Sequence, residues 1–496
     1  MEKKYYEKKG SSEDNLTIGA RGGAIAFALK ILSTALGFLN QIILARVLGA
    51  GGLGEVLLAI SVVRIFSQIA KFGMEEAMMR FVSLYLEKGD ISRLKGTIKF
   101  SLKFCVVISV VLVGIVIISS KFISIHIFHS ESIQKLILVI AISIPAVAIR
   151  EVIGGILKGY KDALRGLLPE SFVPVIRIVV FLLLLITGVS PLYAIIAFLA
   201  GEFVALLLAI MFLVQRLKPE RAISEVKCER KKILDLALSV IFTGISILLF
   251  TQVDIWILKM YKPFEDVGIY GVAAKIVILA YFPMLAFASI IPPIISSVHS
   301  SGNHEELENI VSESTRWILS MAMPVILILI LEGKLILQYI YGNEFALGYT
   351  VLIILCISQL VRAGAGLVGV ILQMTGKHKI LMTVYIFWGF VNIIMNIILV
   401  PHYGMEGAAI ATAFCLIMAD IICVIAIYKK MSVLTFAKEI RFDLLFIALI
   451  SAIVYFLVRQ NIFYQWNHIL LIAALTIYIS KSVLNHDIPW RLLVPK

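Results

Sequence analysis

Apolar windows bounded by charged residues and Gly/Pro turns recur along the whole chain, and many are long enough to cross a hydrocarbon core of roughly 30 Å. Read this way the sequence predicts fourteen membrane-length helices, near 24–46, 54–78, 100–119, 136–157, 172–187, 191–214, 234–258, 267–296, 317–338, 348–373, 380–400, 406–428, 443–458 and 467–483. The fold class is therefore an all-α polytopic membrane protein. Polar residues inside these windows fall into stripes. In span 2, Arg64, Gln68, Lys71 and Glu75 follow i, i+4, i+7, i+11 and share one face of a continuous helix. Span 1 repeats the pattern with Lys30, Thr34, Gly37 and Gln41, flanked by Ser33 and Asn40. Spans 4 and 5 add Arg150 and Arg177, and Lys275 and Arg362 stand mid-span in the second half of the chain.

A charge at mid-bilayer costs roughly 2.5–3.5 kcal/mol on insertion scales, so these stripes face either a wet cavity or one another. Pairing has ready partners: Glu75 lies one turn from Lys71, and Glu151 and Glu202 are available to Arg150 and Arg177. Arg64 differs, because no acid stands three or four residues away on its own helix. With the cavity reading, Lys30, Arg64, Lys71, Arg150, Arg177, Lys275 and Arg362 form a substrate site rich in cationic donors.

Composition narrows the class. The chain has 496 residues, is 60% hydrophobic and has a mean hydropathy of +0.99, and no stretch outside the spans is long enough for a separate core. The N-terminal segment MEKKYYEKKGSSEDN is polar, and the apolar run after it is too long for a cleaved signal, so it is expected to stay as the first anchor. The five cysteines lie mostly within spans at no metal-like spacing, and His126 and His129 sit at a span edge with no further Cys or His beside them. Lys and Arg crowd the loops that face the cytosol when the N-terminus is inside, which fixes both termini there. Loop 298–316 runs against that bias, with Arg316 alone against four glutamates. The net charge of +13 is thus an orientation signal, and the basic loop at 215–232 faces anionic membrane lipid rather than nucleic acid.

The sequence also repeats. GFLNQIILARVLGAGGLGEVLLA at 37–59 lies over TQVDIWILKMYKPFEDVGIYGVA at 251–273, an offset of 214 that pairs Asn40 with Asp254 and Gly54 with Gly268. The same offset pairs Ala194 and Ala197 with Ala408 and Ala411. Two parallel six-helix lobes are expected: a cytosolic tail at 1–21, an N-lobe at 22–214, a basic linker at 215–233, a C-lobe at 234–428, and spans 13 and 14 with a tail at 429–496. In the second lobe Thr243, Ser246, Phe250 and Asp254 share a face of span 7, Asn392 and Asn396 are neighbours on span 11, and Thr412 lies on span 12 at similar depth. This oxygen set with one carboxylate suits coupling to Na⁺ or H⁺, and equally suits amide packing between helices.

The string at 37–59, with FGMEEAMMRFV at 72–82 and DVGIYGVAAKI at 266–276, resembles the polysaccharide-transporter branch of the multidrug/oligosaccharidyl-lipid/polysaccharide exporter superfamily across spans 1–12. The resemblance implies two lobes around a central cavity, no catalysis and no cofactor. It implies movement of a polyprenyl-pyrophosphate-linked oligosaccharide from the cytosolic to the outer leaflet of the cell membrane, alongside other polysaccharide-assembly proteins. The bases would then hold the pyrophosphate, Arg bidentately and Lys as a point charge. Asn40 stands where the family carries a first-span arginine, so the head-group site would rely on Lys30 and Arg64. The resemblance also implies a sodium site at Asp254, Asn392, Asn396 and Thr412, with Asn396 replacing a carboxylate. Two other classes stay open. A cation-coupled drug exporter of the same superfamily would favour an acidic cavity, and a membrane glycosyltransferase or polymerase would need a metal motif and a large outer loop that the sequence does not show.

Overall fold

The structure, a computed structural model, describes residues 12–217, 227–433 and 435. Spans 13 and 14 lie outside the described residues, as does part of the linker. Among the described residues the chain is helical, without strands. It runs α1 (Ser12–Lys71), α2 (Met74–Glu87), α3 (Ile91–Phe122), α4 (Ser132–Ala141), α5 (Ser143–Gly159), α6 (Ala163–Leu184), α7 (Pro191–Leu217), α8 (Arg230–Thr251), α9 (Val253–Tyr261), α10 (Phe264–Ser301), α11 (His304–Ile336), α12 (Tyr349–Ala365), α13 (Val368–Met374) and α14 (His378–Met431).

Among the described residues, ten helical runs are long and apolar enough to cross a membrane. α1 and α14, of 60 and 54 residues, are each interrupted by a glycine with non-helical backbone, Gly49 (φ 68°, ψ −178°) and Gly404 (φ 56°, ψ −134°). An unbroken 60-residue helix would extend about 90 Å, three hydrocarbon cores, so each of these runs holds two spans. Apolar side chains cover the outside: Ile118 and Ile186 are 85% and 84% exposed, which only lipid accommodates in such numbers.

Several predicted spans are broken where the sequence reading drew one helix. Span 2 ends at Lys71, because Phe72 (φ 49°) and Gly73 (φ 69°) are both left-handed, and α2 starts afresh at Met74. Glu75 therefore does not continue the helical face of Arg64 and Gln68. Span 7 divides at Gln252 (φ −123°) into α8 and α9, which separates Ser246 and Phe250 from Asp254.

The described residues up to Val272, with Leu337–Gly348 and Tyr385–Ala411, form one compact unit. Its core joins the two sequence repeats along a seam in which the part of α1 after Gly49 runs antiparallel to α8, α9 and the start of α10. From one end to the other, Gly54 meets Phe264 and Gly268, Trp256 Nε1 donates to Ser61 Oγ at 2.6 Å, Gln68 lies against Gly244, and Gly73 lies against the Ala237 carbonyl. From Gly54 to Gly73 the seam covers about 28 Å, a full hydrocarbon core. The contact at its first end is reciprocal. A Cβ on Gly54 would stand 2.8 Å from the carbonyl carbon of Phe264, and one on Gly268 would stand 2.9 Å from that of Ala50. Gly54 corresponds to Gly268, and Ala50 to Phe264, at the repeat offset of 214 read from the sequence, so each repeat offers the other the same surface. The same end is tied by Arg46, which donates to the Tyr339 and Ile340 carbonyls, and by Glu344 Oε1, which accepts from the Ala50 N–H at 2.8 Å.

The second unit comprises Ala273–Ile336, Tyr349–Val384 and the described residues from Thr412 onward. Ile318, Ile326, Leu329, Leu352 and Leu355 fill its core, and the Tyr349 hydroxyl donates to the Ile330 carbonyl at 2.5 Å.

Candidate functional site

Charged side chains of the first unit form a network across α1, α2, α5, α6 and α7. Lys71 is buried and bridges Glu75 at 3.1 Å and Glu151 at 2.9 Å, and Lys158 takes the other oxygen of Glu75 at 3.0 Å. Arg150 Nε reaches Glu202 Oε2 at 3.1 Å and its Nη2 reaches Glu151 at 3.5 Å, while Arg177 Nη2 holds Glu202 Oε1 at 2.6 Å. Lys30 pairs with Glu170 at 3.3 Å. Of the predicted substrate residues in this unit, then, Lys30, Lys71, Arg150 and Arg177 all have carboxylate partners. The Lys30–Glu170 pair is exposed, but for Lys71 and Arg150, which are buried, taking one partner away leaves the other uncompensated.

Arg64 is the exception. It is exposed, and among the described residues it forms neither an ion pair nor a side-chain hydrogen bond. Arg177 also lines a recess with Asn40, Leu44, Val56 and Phe198, its guanidinium carbon 3.9 Å from the Phe198 ring centroid. A guanidinium thus stands beside the position where the family resemblance places a first-span arginine.

Lys275 and Arg362 fall in the second unit. Arg362 lies 3.7 Å from Asp420 and stacks over Tyr281 at 4.9 Å. Asp420, 1% exposed, is not evident as a partner in the sequence, since α12 and α14 bring the two together across 58 positions.

The candidate coupling residues are partly gathered. Asp254, in the first turn of α9, is 3% exposed, and Asn392 and Asn396 on α14 are fully buried. Asn396 Nδ2 donates to Asp254 Oδ1 at 3.0 Å and to the Asn392 carbonyl at 2.9 Å. Tyr270, on α10, donates its hydroxyl to Asp254 Oδ2 at 2.5 Å, at the short end of the range for an O–H···O bond. Tyr270 was missed in the sequence, although it belongs to the VGIY segment; the short turn between α9 and α10 is what returns it to Asp254. Asn396 Oδ1 is buried with no hydrogen-bond partner. Thr412 is buried in the second unit, and the Ser246 hydroxyl bonds back to the Phe242 carbonyl at 2.7 Å. The side chain of Thr243 lies outside the described residues.

The polysaccharide biosynthesis protein family matches residues 20–299, and the MatE family matches residues 239–398. The probable low-salt glycan biosynthesis flippase Agl15 of Haloferax volcanii is 22% identical over 79% of this chain and 80% of its own length. The probable flippase AglR of the same organism is 26% identical over 84% of each chain. In fold the chain matches the lipid II flippase MurJ in an inward closed conformation, with a TM-score of 0.73, 19% identity, and coverage of 95% of this chain and 100% of that one. The family match takes in the repeat motifs at 37–59 and 251–273 and the charged network between them. The chain belongs to the polysaccharide biosynthesis protein family, within the polysaccharide-transporter branch of the multidrug/oligosaccharidyl-lipid/polysaccharide exporter superfamily, and is a multi-span membrane transporter.

Proposed function

We propose that this transporter flips a polyprenyl-pyrophosphate-linked oligosaccharide from the cytosolic to the outer leaflet of the cell membrane by alternating access, with its N-terminus and basic linker in the cytosol. The observation that carries this reading is Arg64: an exposed arginine within a membrane-length helix, with no ion pair among the described residues, beside a network in which Lys71, Arg150 and Arg177 each hold a carboxylate. Such a charge is sustained by water and by an anionic ligand, and a lipid-linked pyrophosphate offers several acceptor oxygens to its planar fork. The two haloarchaeal relatives are named as flippases, one in glycan biosynthesis, which supports the same cargo class. A drug exporter would need several free carboxylates for a cationic cargo, whereas Glu75, Glu151, Glu170 and Glu202 are each held by a base and, among the described residues beside them, Glu76 alone is not. In proteoliposomes, Arg64→Ala is expected to impair movement of the lipid-linked sugar and Arg64→Lys to restore part of it. Normal export by an alanine variant present at normal level removes Arg64 from the mechanism.

A cation-coupled step is the second reading, favoured by the orphaned Asn396 Oδ1 beside the Asp254 carboxylate. Asp254, Asn392 and Asn396 offer oxygen donors suited to Na⁺, or Asp254 carries a proton. A cation shifts a conformational equilibrium only by binding one state better than the other. Asp254→Asn is therefore expected to abolish stimulation by an imposed Na⁺ or H⁺ gradient, and unchanged stimulation would remove Asp254 as the coupling group.

A further inference from the structure

Two guanidinium groups share one carboxylate in the first unit, and a third stands near them. Glu202 is 4% exposed and accepts from Arg177 through Oε1 and from Arg150 through Oε2. Arg64 makes no such bond but lies within electrostatic reach of both Glu202 and Arg177. The two bonded arginines are not equivalent. Arg150 has a second carboxylate in Glu151, which also anchors Lys71. Arg177 pairs with Glu202 alone, its Nε is buried with no hydrogen-bond partner, and one face rests on Phe198.

The charges do not balance. Arg64, Lys71, Arg150, Lys158 and Arg177 stand against Glu75, Glu151 and Glu202, an excess of two positive charges, or of one with the exposed Glu76 counted. Lys30 and Glu170 neutralise each other beside them. A doubly substituted pyrophosphate carries two negative charges, enough to offset the excess. We propose that Glu202 is a resident counter-ion that occupies Arg177 in place of the substrate: the incoming pyrophosphate takes Arg177 together with Arg64, while Arg150 keeps Glu202. This rests on the head-group reading of Arg64 above. It assigns Glu202 a positioning and selectivity role that its burial among cations would not require of a purely structural acid. Before binding, Glu202 holds the Arg177 fork in place. After transport it competes for the same donors and helps expel the anion, since a site that only attracts would retain its cargo.

The test uses the full-length protein in nanodiscs with farnesyl pyrophosphate as probe and farnesol as the uncharged control. Removing the competing charge in Glu202→Gln should tighten probe binding by about tenfold or more, the scale on which close charge pairs couple, while slowing turnover of lipid-linked sugar in proteoliposomes. Glu202→Asp, which keeps the charge, should stay near wild type in both. A structural role predicts the opposite split, with Glu202→Gln binding no tighter and melting earlier. If Glu202→Gln does not accumulate, the charge-balanced pair Arg150→Gln/Glu202→Gln frees Arg177 in the same way and should also bind more tightly. Arg64-dependent binding by the wild type without tightening in either variant overturns the counter-ion role alone. Absence of pyrophosphate-specific binding in the wild type overturns it together with the head-group reading.

Discussion

Gly268→Ala tests the reciprocal contact between the repeats. Its new methyl would run into the Ala50 carbonyl oxygen and stand 2.9 Å from the carbonyl carbon, where ordinary contact begins at 3.4 Å, so the backbones must part by roughly an ångström or more. The obstacle is main chain on both sides, so no side-chain rotation relieves it. Overpacking of this kind costs about 1–3 kcal/mol, which at 1.4 kcal/mol per factor of ten lowers the population of this packing by about 5- to 150-fold. Gly54→Ala meets Phe264 in the same way at 2.8 Å and should cost a similar amount. The double variant should cost less than the sum, because backbones already separated by one methyl admit the second. A Gly51→Cys/Glu265→Cys pair on a Cys228→Ser background reports the contact, since a Cβ on Gly51 lies 3.7 Å from Glu265 Cγ, the place a cysteine sulfur would take. Each alanine should slow disulfide formation, whereas Gly114→Ala, whose methyl meets nothing within 4 Å, should not. Wild-type cross-linking rates in Gly268→Ala would refute the reasoning, as would full additivity in the double variant.

Tyr270→Phe removes a hydroxyl bonded to a buried carboxylate and should cost about 1.5–3 kcal/mol, seen as a lower melting temperature in a thermal-shift assay; an unchanged or raised melting point refutes the bond. Cys228 is the one native thiol that is not buried, and burial and nearby Glu229 push its pKa above the ordinary value, against Arg230 and a bond to Thr97. An impermeant maleimide should reach it only from the cytosolic side, and more slowly at pH 7 than a free thiol, with the midpoint of its rate against pH above the value of about 8.5 for a free cysteine; labelling of intact cells from outside overturns the orientation. Asp90 and Asp162 cap α3 and α6 by accepting from the N–H of Arg93 at 2.9 Å and of Arg165 at 3.2 Å. Either alanine variant should lose about 1 kcal/mol of stability, measured by thermal unfolding, and no loss would mean that water serves as well.

The spans were legible because transfer free energy sums over twenty residues and tolerates local errors. The repeat was legible because Gly54 and Gly268 are fixed by the same close approach. Asp254 with Asn392 and Asn396 was legible from depth along the helices. The breaks at Phe72 and Gly73, and at Gln252, were not, since hydropathy does not report backbone dihedrals, and the stripe from Arg64 to Glu75 was consequently drawn on one helix when it occupies two. Nor could sequence decide between cavity and pairing. Lys71 finds Glu151 across 80 positions and Arg362 finds Asp420 across 58, and such partners are chosen by packing that no local window contains.

The seam between the repeats also sets an order of assembly. At a synthesis rate of about 5–20 residues per second, the ribosome needs about 10–40 s to travel from Gly54 to Gly268. Throughout that interval the second half of α1 is in the bilayer without its partner. The described ion pairs of Lys30, Lys71, Arg150, Lys158 and Arg177 all close between residues 30 and 202, so none of them waits for the second repeat. The nascent first half can therefore rest in the lipid with most of its charges neutralised, leaving Gln68 and the glycine face to be covered when α8 to α10 arrive.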